Sequence, residues 1–225
     1  MQVTPTDLKI LWDLNSDNIS NSKAQIRQDI FVLHELQFKS NGFFVDFGAT
    51  DGLELNNTFL LEKKYKWNGI LCEPSKGWHE KLIFNRPNAI IDKRCVWSKS
   101  KEKIKFKECE VNTLSTIEEF QNLDNHSDSR KKGNTYLVET VKLTDLLKQH
   151  NAPSDIDYLS IDTEGSEYNI LKEHDFNQYS FKIITCEHNY TPQRQKIFDL
   201  LSSKGYIRKY IRGDWSDFED WYVRK

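Results

Sequence analysis

The sequence lacks the features that define several protein classes. No apolar run approaches the roughly 20 residues of a membrane-spanning helix, and no N-terminal stretch is typical of a signal peptide. The four cysteines have no CxxC spacing, which disfavours zinc ribbons and secreted disulfide frameworks. Neither sign of charge dominates, with 32 Lys plus Arg against 34 Asp plus Glu, so no overall charge favours nucleic acid or an anionic membrane. We therefore expect a cytoplasmic protein that neither inserts into membranes nor binds nucleic acid.

The composition is that of a globular protein. Hydrophobic residues make up 37% and charged residues 29% of the chain, which is too apolar for a disordered protein and too charged for a membrane protein. A length of 225 residues is enough for one well-buried α/β domain and short for two. We expect a single domain over residues 1–225, with a helical segment at 1–40 packing on it.

Short apolar runs bounded by turn residues predict the strands of a largely parallel sheet. The runs are continuous rather than alternating, which is typical of strands buried on both faces. Segments with helical spacing of apolar residues lie between them, and this alternation favours a doubly wound α/β sheet. The predicted strands are residues 43–47, 69–72, 89–91 with 95–97, 158–161 and 181–186.

Other segments carry weaker predictions. Residues 22–36 have helical spacing, so we expect one amphipathic helix with Ser22 as its N-cap. Residues 101–108 alternate charged with apolar side chains and predict an antiparallel edge strand. The polar span 121–134 is expected to be a surface insertion, with a flap over a site as the alternative, and its basic cluster at 130–132 a solvated loop. The aromatic tail at 215–222 is expected to form a last strand covering the sheet edge.

A glycine turn follows the first predicted strand in the stretch "GFFVDFGATDGLELNNT". In open α/β sheets, ligands bind beyond the carboxyl ends of the strands. Gly48 and Gly52 lack a Cβ where a ligand would approach the backbone, and amides at the start of the next helix can receive a carboxylate or phosphate. A turn that serves only the chain geometry is the alternative.

The second predicted strand ends in "GILCEP", which brings Glu73 to the same sheet edge. A carboxylate about twenty residues after a glycine turn can accept both hydroxyls of a ribose. Asp46 and Asp51 would repel the pyrophosphate of a dinucleotide, whereas they could hold the ammonium and sulfonium region of S-adenosylmethionine. The residues therefore favour S-adenosylmethionine over NAD.

These motifs, together with "AQIRQDIFV" and "DIDYLSIDTEGSEYNIL", resemble the FkbM family of S-adenosylmethionine-dependent methyltransferases from about residue 25 to 206. The resemblance implies a class I methyltransferase fold, Rossmann-like with a seven-stranded mostly parallel sheet. It also implies methyl transfer to oxygen, often on a sugar or another small hydroxylated molecule. Thr50 stands where related sequences often have Asn. The predicted cofactor-binding residues are Asp46, Gly48, Ala49, Asp51, Gly52, Asn57, Glu73 and Pro74.

The same resemblance includes Gln25, Gln28 and Asp29 near the N-terminus. It implies a lid over the cofactor, and packing of this segment on the sheet is the alternative.

Ionisable side chains follow the two strands predicted at 158–161 and 181–186. Methyl transfer from a sulfonium needs mainly a positioned and deprotonated acceptor oxygen. His188 is the first candidate for the base, followed by Asp162 and Glu164. A structural role for His188 and binding of the cofactor's amino group by Asp162 are the alternatives. Acids in the first helical turn, such as Glu164, also favour the helix dipole.

A second mechanism uses some of the same side chains. Asp162, Glu187 and His188 could hold a divalent ion that lowers the pKa of the acceptor hydroxyl. Their spacing is not contiguous, so no metal is predicted.

Two other functions stay open at this point. One is an NAD-dependent oxidoreductase, and the other is a methyltransferase fold that binds partners without catalysis. The expected partner is a small hydroxylated acceptor, with saccharides among the candidates, and the sequence does not predict an oligomeric state.

Overall fold

The computed structural model of the protein describes residues 16–209 and 218–225. Strands and α-helices alternate along most of the described chain, whereas residues 90–141 contain strands without an intervening α-helix. The strands are β1 (Phe43–Phe47), β2 (Asn68–Cys72), β3 (Ile90–Asp92), β4 (Cys95–Val96), β5 (Lys103–Cys109), β6 (Thr116–Ile117), β7 (Gly133–Val141), β8 (Asp155–Ile161), β9 (Ser180–Glu187), β10 (Tyr206–Lys209) and β11 (Glu219–Arg224). The α-helices are α1 (Ser16–Ile19), α2 (Gln28–Glu35), α3 (Phe59–Tyr65), α4 (His79–Asn85), α5 (Leu143–Gln149), α6 (Glu167–Lys172) and α7 (Gln193–Ser203).

The main sheet has seven strands in the order β10-β11-β9-β8-β1-β2-β3. Strand β1 pairs in parallel with β2 and β8, and the parallel pairing continues to β3 on one side and β9 on the other. Strand β11 is antiparallel to both β9 and β10. The order reverses between β1 and β8, which is the switch point of a doubly wound fold. The predicted seven-stranded, mostly parallel class I sheet is confirmed.

The strand register brings four chain positions to one edge of this sheet. Phe47 pairs with Cys72 and with Ile161, and Ile161 pairs with Cys186. The next residues along these strands are Gly48, Glu73, Asp162 and Glu187. The sheet itself therefore places three carboxylates and a glycine turn side by side.

Two apolar clusters cover the two faces of the sheet. On β1, Val45 and Phe47 belong to one cluster and Phe44 to the other. This division follows from the alternation of side chains along a strand. Burial on both faces explains why the strands read as continuous apolar runs in the sequence.

A second sheet, which the sequence did not predict, has the order β4-β7-β5-β6. Strand β5 confirms the antiparallel strand predicted at 101–108. It pairs with β7 on one side and β6 on the other, so the predicted edge position is wrong. Strand β4, expected to continue the main sheet from 89–91, pairs with β7 instead. A separate small core that includes Phe106, Ile117 and Val138 stabilises this sheet.

The N-terminal helix is shorter than predicted. Helix α2 begins only at Gln28, after Arg27 in a left-handed conformation with φ 68°. Ser22 does not cap it; its Oγ donates to Oδ1 of Asp29 at 2.7 Å. Residues 30–33 are all fully buried, so the helix is packed on all sides there rather than amphipathic. Residues 1–15 of the expected N-terminal segment lie outside the described residues.

The C-terminal elements differ from the prediction in one respect. Helix α7 forms as expected from its apolar spacing. Strand β11 lies inside the sheet between β9 and β10, so it does not cover an edge as predicted. Residues 215–217 of the expected strand lie outside the described residues.

Across residues 16–209 and 218–225, the helices are too short or too polar to cross a membrane. The four cysteines are free thiols, and all four are buried.

Candidate active site

A cavity of about 520 Å³ opens at the carboxyl ends of β1, β2, β8 and β9. It lies where the switch point of the sheet predicts a ligand. Five of the predicted site residues line it, namely Gly48, Glu73, Pro74, Asp162 and Glu164. The other predicted residues are outside its lining, namely Asp46, Ala49, Asp51, Gly52, Asn57 and His188.

Glu73 stands at the β2 end of the cavity. Its Oε2 accepts the backbone N–H of Thr50 at 2.9 Å, and its Oε1 accepts that of Ser75 at 2.7 Å. The side chain is buried, and this burial raises the pKa of Glu73 to about 7. Each carboxylate oxygen keeps lone-pair capacity beyond its one amide. Glu73 is therefore held in place and can still accept two hydroxyl groups of a ligand.

The two glycines of the turn were predicted to let a ligand approach the backbone, but in the structure protein atoms occupy the space beside them. Gly48 has φ 79°, and a Cβ there would overlap the backbone carbonyl of Asp162. Gly52 has φ 74°, and a Cβ there would lie 2.5 Å from Cγ of Arg86 and 2.7 Å from Leu82. Both missing Cβ atoms thus make room for protein atoms. Only Gly48 also lines the cavity.

Asp46 belongs to a buried network behind the turn. Its Oδ2 accepts hydrogen bonds from Asn56 Nδ2 at 3.1 Å and Thr58 Oγ1 at 2.9 Å. Arg86 is fully buried and donates to Asn56 Oδ1 at 2.7 Å. Burial raises the pKa of Asp46, and the positive charge of Arg86 lowers it. These hydrogen bonds hold the glycine turn in place.

Three other predicted residues also support the turn. Oδ1 of Asp51 accepts the backbone N–H groups of Leu53 and Glu54, each at 2.9 Å, which is the local bonding expected of a turn aspartate. Ala49 is fully buried in the core. Nδ2 of Asn57 donates to Ser160 Oγ at 3.0 Å.

The opposite side of the cavity carries a carboxyl cluster, formed by Asp162, Glu164 and Glu187. One carboxylate oxygen from each lies within 4.8 Å of the others. Burial raises the pKa of Asp162 to about 7. Burial, and then the neighbouring negative charges, raise the pKa of Glu164 and of Glu187 well above the usual range. The sequence predicted the convergence of these strand ends, and the structure brings the three side chains together.

Arg130 lies behind this cluster, although it was predicted to be in a solvated loop. Its side chain is fully buried. The guanidinium donates to both carboxylate oxygens of Asp124, at 2.7 and 2.9 Å, and to Oε2 of Glu164 at 2.5 Å. Its Nε donates to the carbonyl of Leu114 at 2.8 Å. The 121–134 insertion is therefore tied to the cavity wall by a buried ion triad.

His188 does not reach the cavity. Its Nδ1 accepts the backbone N–H of Tyr190 at 3.0 Å, and its Nε2 lies 3.7 Å from Oδ1 of Asp220. Asp220 also receives hydrogen bonds from Arg194 and Arg208. Side chains alternate along an extended chain, so Glu187 faces the cavity and His188 faces the other way. This placement does not support the predicted role of His188 as the base.

The second sheet and its loops supply the remaining wall, which sequence reasoning missed. Apolar side chains there are Val96, Phe106, Leu114 and Ile117, and polar ones are Ser115, Asp124, Asn125 and His126. Their strands are short or alternate with charges, so no local signal associated them with the main site.

The N-terminal segment contributes one of its three predicted lid residues. Gln25 lines the cavity, whereas Gln28 and Asp29 do not. A bridge between Ala24 and Leu55 holds this segment beside the glycine turn. Nε2 of Gln28 donates to Glu219 at 2.7 Å, so that residue packs against the sheet.

Comparison with known proteins agrees with this architecture. The model of the methyltransferase FkbM domain matches residues 46–214. Comparison of the sequence with curated proteins finds no match. The family match overturns the alternative interpretation as an NAD-dependent oxidoreductase.

The comparison with solved structures also finds several methyltransferases. Precorrin-6y C5,15-methyltransferase from Geobacter metallireducens has a TM-score of 0.46 at 9% identity, covering 87% of this chain and 84% of that one. A TehB-like SAM-dependent methyltransferase from Corynebacterium glutamicum has a TM-score of 0.46 at 7% identity, covering 95% and 96%. The N-terminal domain of human METTL16, solved with SAH, has a TM-score of 0.43 at 12% identity, covering 86% and 66%.

The family match covers more than half of the chain and includes the glycine turn, the carboxyl cluster and most strands of the sheet that carries them. The chain belongs to the FkbM family of S-adenosylmethionine-dependent methyltransferases.

Proposed function

We propose that the protein transfers the methyl group of S-adenosylmethionine to a hydroxyl oxygen of a small molecule. The observation that carries this proposal is the arrangement of one cavity between Glu73 and the carboxyl cluster. Among the described residues that line the cavity, acids are frequent and Lys and Arg are absent. Such a wall suits a cofactor with a sulfonium and an ammonium group.

The cofactor's ribose is assigned to Glu73, since both oxygens of that carboxylate face hydrogen-bond donors and retain acceptor capacity. Pro74 follows it in the cavity lining. The methionine end is assigned to the turn at Gly48. A supporting role is assigned to Asp46, Ala49, Asp51 and Asn57, because their side chains bond to or pack against the turn and the strands below it. Gly52 is assigned the same role because it leaves room for Arg86.

The chemistry is an in-line displacement. A lone pair of the acceptor oxygen forms a bond to the methyl carbon, and the carbon–sulfur electron pair returns to sulfur, which gives S-adenosylhomocysteine. The acceptor's proton passes to the carboxyl cluster. Asp162 is the first candidate to receive it, because its pKa of about 7 is near the ordinary operating pH. Glu164 is assigned to positioning, since Arg130 already engages its carboxylate.

The acceptor side of the cavity is formed by the second sheet. Phe106 and Ile117 offer an apolar surface, and Asn125 and His126 offer polar groups. A saccharide or another polyhydroxylated molecule has both apolar and hydroxyl-bearing edges and fits this mixture.

Two measurements test the proposal. Thermal shift should detect stabilisation by S-adenosylmethionine and S-adenosylhomocysteine but not by NAD, with about 2.7 kcal/mol at 100 times the dissociation constant. A screen of hydroxylated acceptors with labelled methyl donor should then identify a product methylated on oxygen. Binding of S-adenosylhomocysteine without transfer to any acceptor would favour a non-catalytic binding protein. Labelling on carbon or nitrogen would contradict the oxygen acceptor.

A further inference from the structure

Two members of the carboxyl cluster have no N–H donor. Within residues 16–209 and 218–225, the side chains of Asp162 and Glu187 form a hydrogen bond with each other, and no N–H group donates to either carboxyl group. Glu187 is only 6% exposed, and both residues line the cavity. A buried carboxylate without an N–H donor is costly, so we expect Glu187, together with Asp162, to bind something that enters the cavity.

Neighbouring buried acids are different in this respect. Glu73 accepts two backbone amides. Glu167 accepts the backbone N–H and the hydroxyl of Thr163, each at 2.9 Å, and the N–H of Gly165 at 3.0 Å. Among the described acids at this sheet edge, Asp162 and Glu187 lack such N–H donors. The lack of N–H donors is therefore specific to Asp162 and Glu187 and is not shared by the other buried acids compared at this sheet edge.

The one positive charge described beside the cluster, that of Arg130, cannot balance the negative charge of its three carboxylates. Arg130 is shared between Asp124 and Glu164, and within the described residues the hydrogen bonds to the Glu164 carboxylate all involve Oε2. Oε1 of Glu164 is thus available beside Asp162 and Glu187. Three carboxylates with one oxygen each within 4.8 Å enclose a point that would hold a compact cation.

We propose that Asp162, Glu164 and Glu187 bind a divalent cation. An all-oxygen ligand set from carboxylates is that of hard ions, namely Mg²⁺, Mn²⁺ or Ca²⁺. His188, the nitrogen ligand considered from the sequence, is turned away from this point. The remaining coordination positions face the cavity and are open to water or to an acceptor hydroxyl.

This inference deepens the proposed function and rests on it for its catalytic meaning. An ion held by the cluster would bind the acceptor hydroxyl and lower its pKa. With the ion bound, the three carboxylates would serve as ligands, and the hydroxyl proton would leave to solvent at the cavity mouth. This route would replace the proton transfer to Asp162 described above. The ion-binding claim itself is tested without turnover.

The experiment is a titration of the full-length protein with Mn²⁺, followed by electron paramagnetic resonance, with and without S-adenosylhomocysteine. One saturable site per chain is expected. Glu187→Gln should weaken Mn²⁺ binding at least about tenfold, because it replaces a ligating carboxylate by an amide. Glu54→Gln, an exposed acid on the glycine turn, is the matched control and should bind Mn²⁺ like the wild type. Asp162→Asn provides the same readout if Glu187→Gln does not fold.

The outcomes separate this inference from the proposed function. Wild-type protein that binds no Mn²⁺ at millimolar concentrations, in either state, overturns the inference. So does Mn²⁺ binding that Glu187→Gln and Asp162→Asn leave unchanged. If these variants lose affinity for S-adenosylhomocysteine and no Mn²⁺ site exists, the cluster binds the cofactor's ammonium group instead, which also overturns it. Mn²⁺ binding by a protein that binds no S-adenosylhomocysteine would support the ion site while contradicting the proposed function.

Discussion

The backbone carbonyl of Asp162 packs directly against the Cα of Gly48, in the space that a Cβ would occupy. This contact joins the ends of β1 and β8 at the mouth of the cavity. The glycine turn and the carboxyl cluster are therefore in direct contact, and we expect a substitution in one to shift the position of the other.

Gly48→Ala should reduce both stability and cofactor binding. The added methyl group would overlap a backbone atom, and φ 79° is strained for alanine, so we expect a loss of about 1–3 kcal/mol in the free energy of unfolding. Gly205→Ala is the control, since Gly205 has φ 88° but no atom within 4 Å of the place that its added methyl group would take. Urea unfolding and calorimetric titration with S-adenosylhomocysteine measure the two effects. Equal losses of affinity in both variants would contradict a specific role for Gly48.

Glu73→Gln should weaken binding of S-adenosylhomocysteine about 10- to 100-fold. Hydrogen bonds to a charged acceptor contribute about 1.5–3 kcal/mol, and the amide can accept through only one of its two heavy atoms. Glu80→Gln, on the exposed surface of α4, should leave affinity unchanged. Calorimetric titration measures the dissociation constant. An unaltered value for Glu73→Gln would contradict the assignment of ribose binding to Glu73.

Asp162→Asn and His188→Gln should differ in turnover. Asp162 faces the acceptor side of the cavity, so we expect its substitution to lower kcat by about 100-fold or more. His188 does not line the cavity, and its ring contacts Tyr190 and Asp220, so His188→Gln should change kcat only slightly once folded protein is matched. Steady-state kinetics on the acceptor identified by the screen decide this. A larger loss of kcat for His188→Gln than for Asp162→Asn would indicate that His188 is the base.

Arg130→Ala should destabilise the protein by about 3–5 kcal/mol, because it leaves two buried carboxylates without their partner. Lys131 pairs with Asp128 on the exposed surface, so Lys131→Ala should change stability by less than about 0.5 kcal/mol. Urea unfolding measures both, and limited proteolysis of the 121–134 insertion should accelerate only in Arg130→Ala. Similar behaviour of the two variants would contradict the structural importance of the buried triad.

Asp29→Asn should alter the pH dependence of stability. Burial raises the pKa of Asp29 from 3.8 to about 7, and its Oδ2 has no hydrogen-bond partner among the described residues. Since the folded pKa exceeds the unfolded one, Asp29 contributes stability at low pH that is lost as pH rises from about 4 to 7. The free energy of unfolding of Asp29→Asn, relative to wild type, should therefore increase across that interval and level off above it.

Urea unfolding at intervals from pH 4.5 to 8 measures this difference. Asp17→Asn, at an exposed position, is the control. A difference between Asp29→Asn and wild type that stays constant with pH would contradict the assigned burial.

The sequence was sufficient to predict the parallel strands of the main sheet because these strands are buried on both faces. Continuous apolar runs identified β1, β2, β8 and β9 to within a few residues, and the position of Glu73 and Asp162 directly after two of them predicted their place at one edge. The second sheet was missed because its strands are short or alternate with charges. Pairing between Cys95 and Thr140 depends on contacts far apart in the chain, which local patterns do not report.

The site was predicted less completely for a similar reason. Successive side chains of an extended chain point to opposite faces. Whether Glu187 or His188 faces the cavity therefore depended on a strand register that the sequence alone did not reveal. Arg130 looked like a surface residue because its partners Asp124 and Glu164 come together only in the folded chain. Gly52 looked like a ligand contact, whereas it makes room for Arg86.

The most direct test of the account is a crystal structure of the protein with S-adenosylhomocysteine. We expect the ribose hydroxyls within hydrogen-bonding distance of the Glu73 carboxylate, the methionine end against the turn at Gly48, and the sulfur directed toward the carboxyl cluster. A cofactor bound outside this cavity, or one whose ribose does not contact Glu73, would contradict the account.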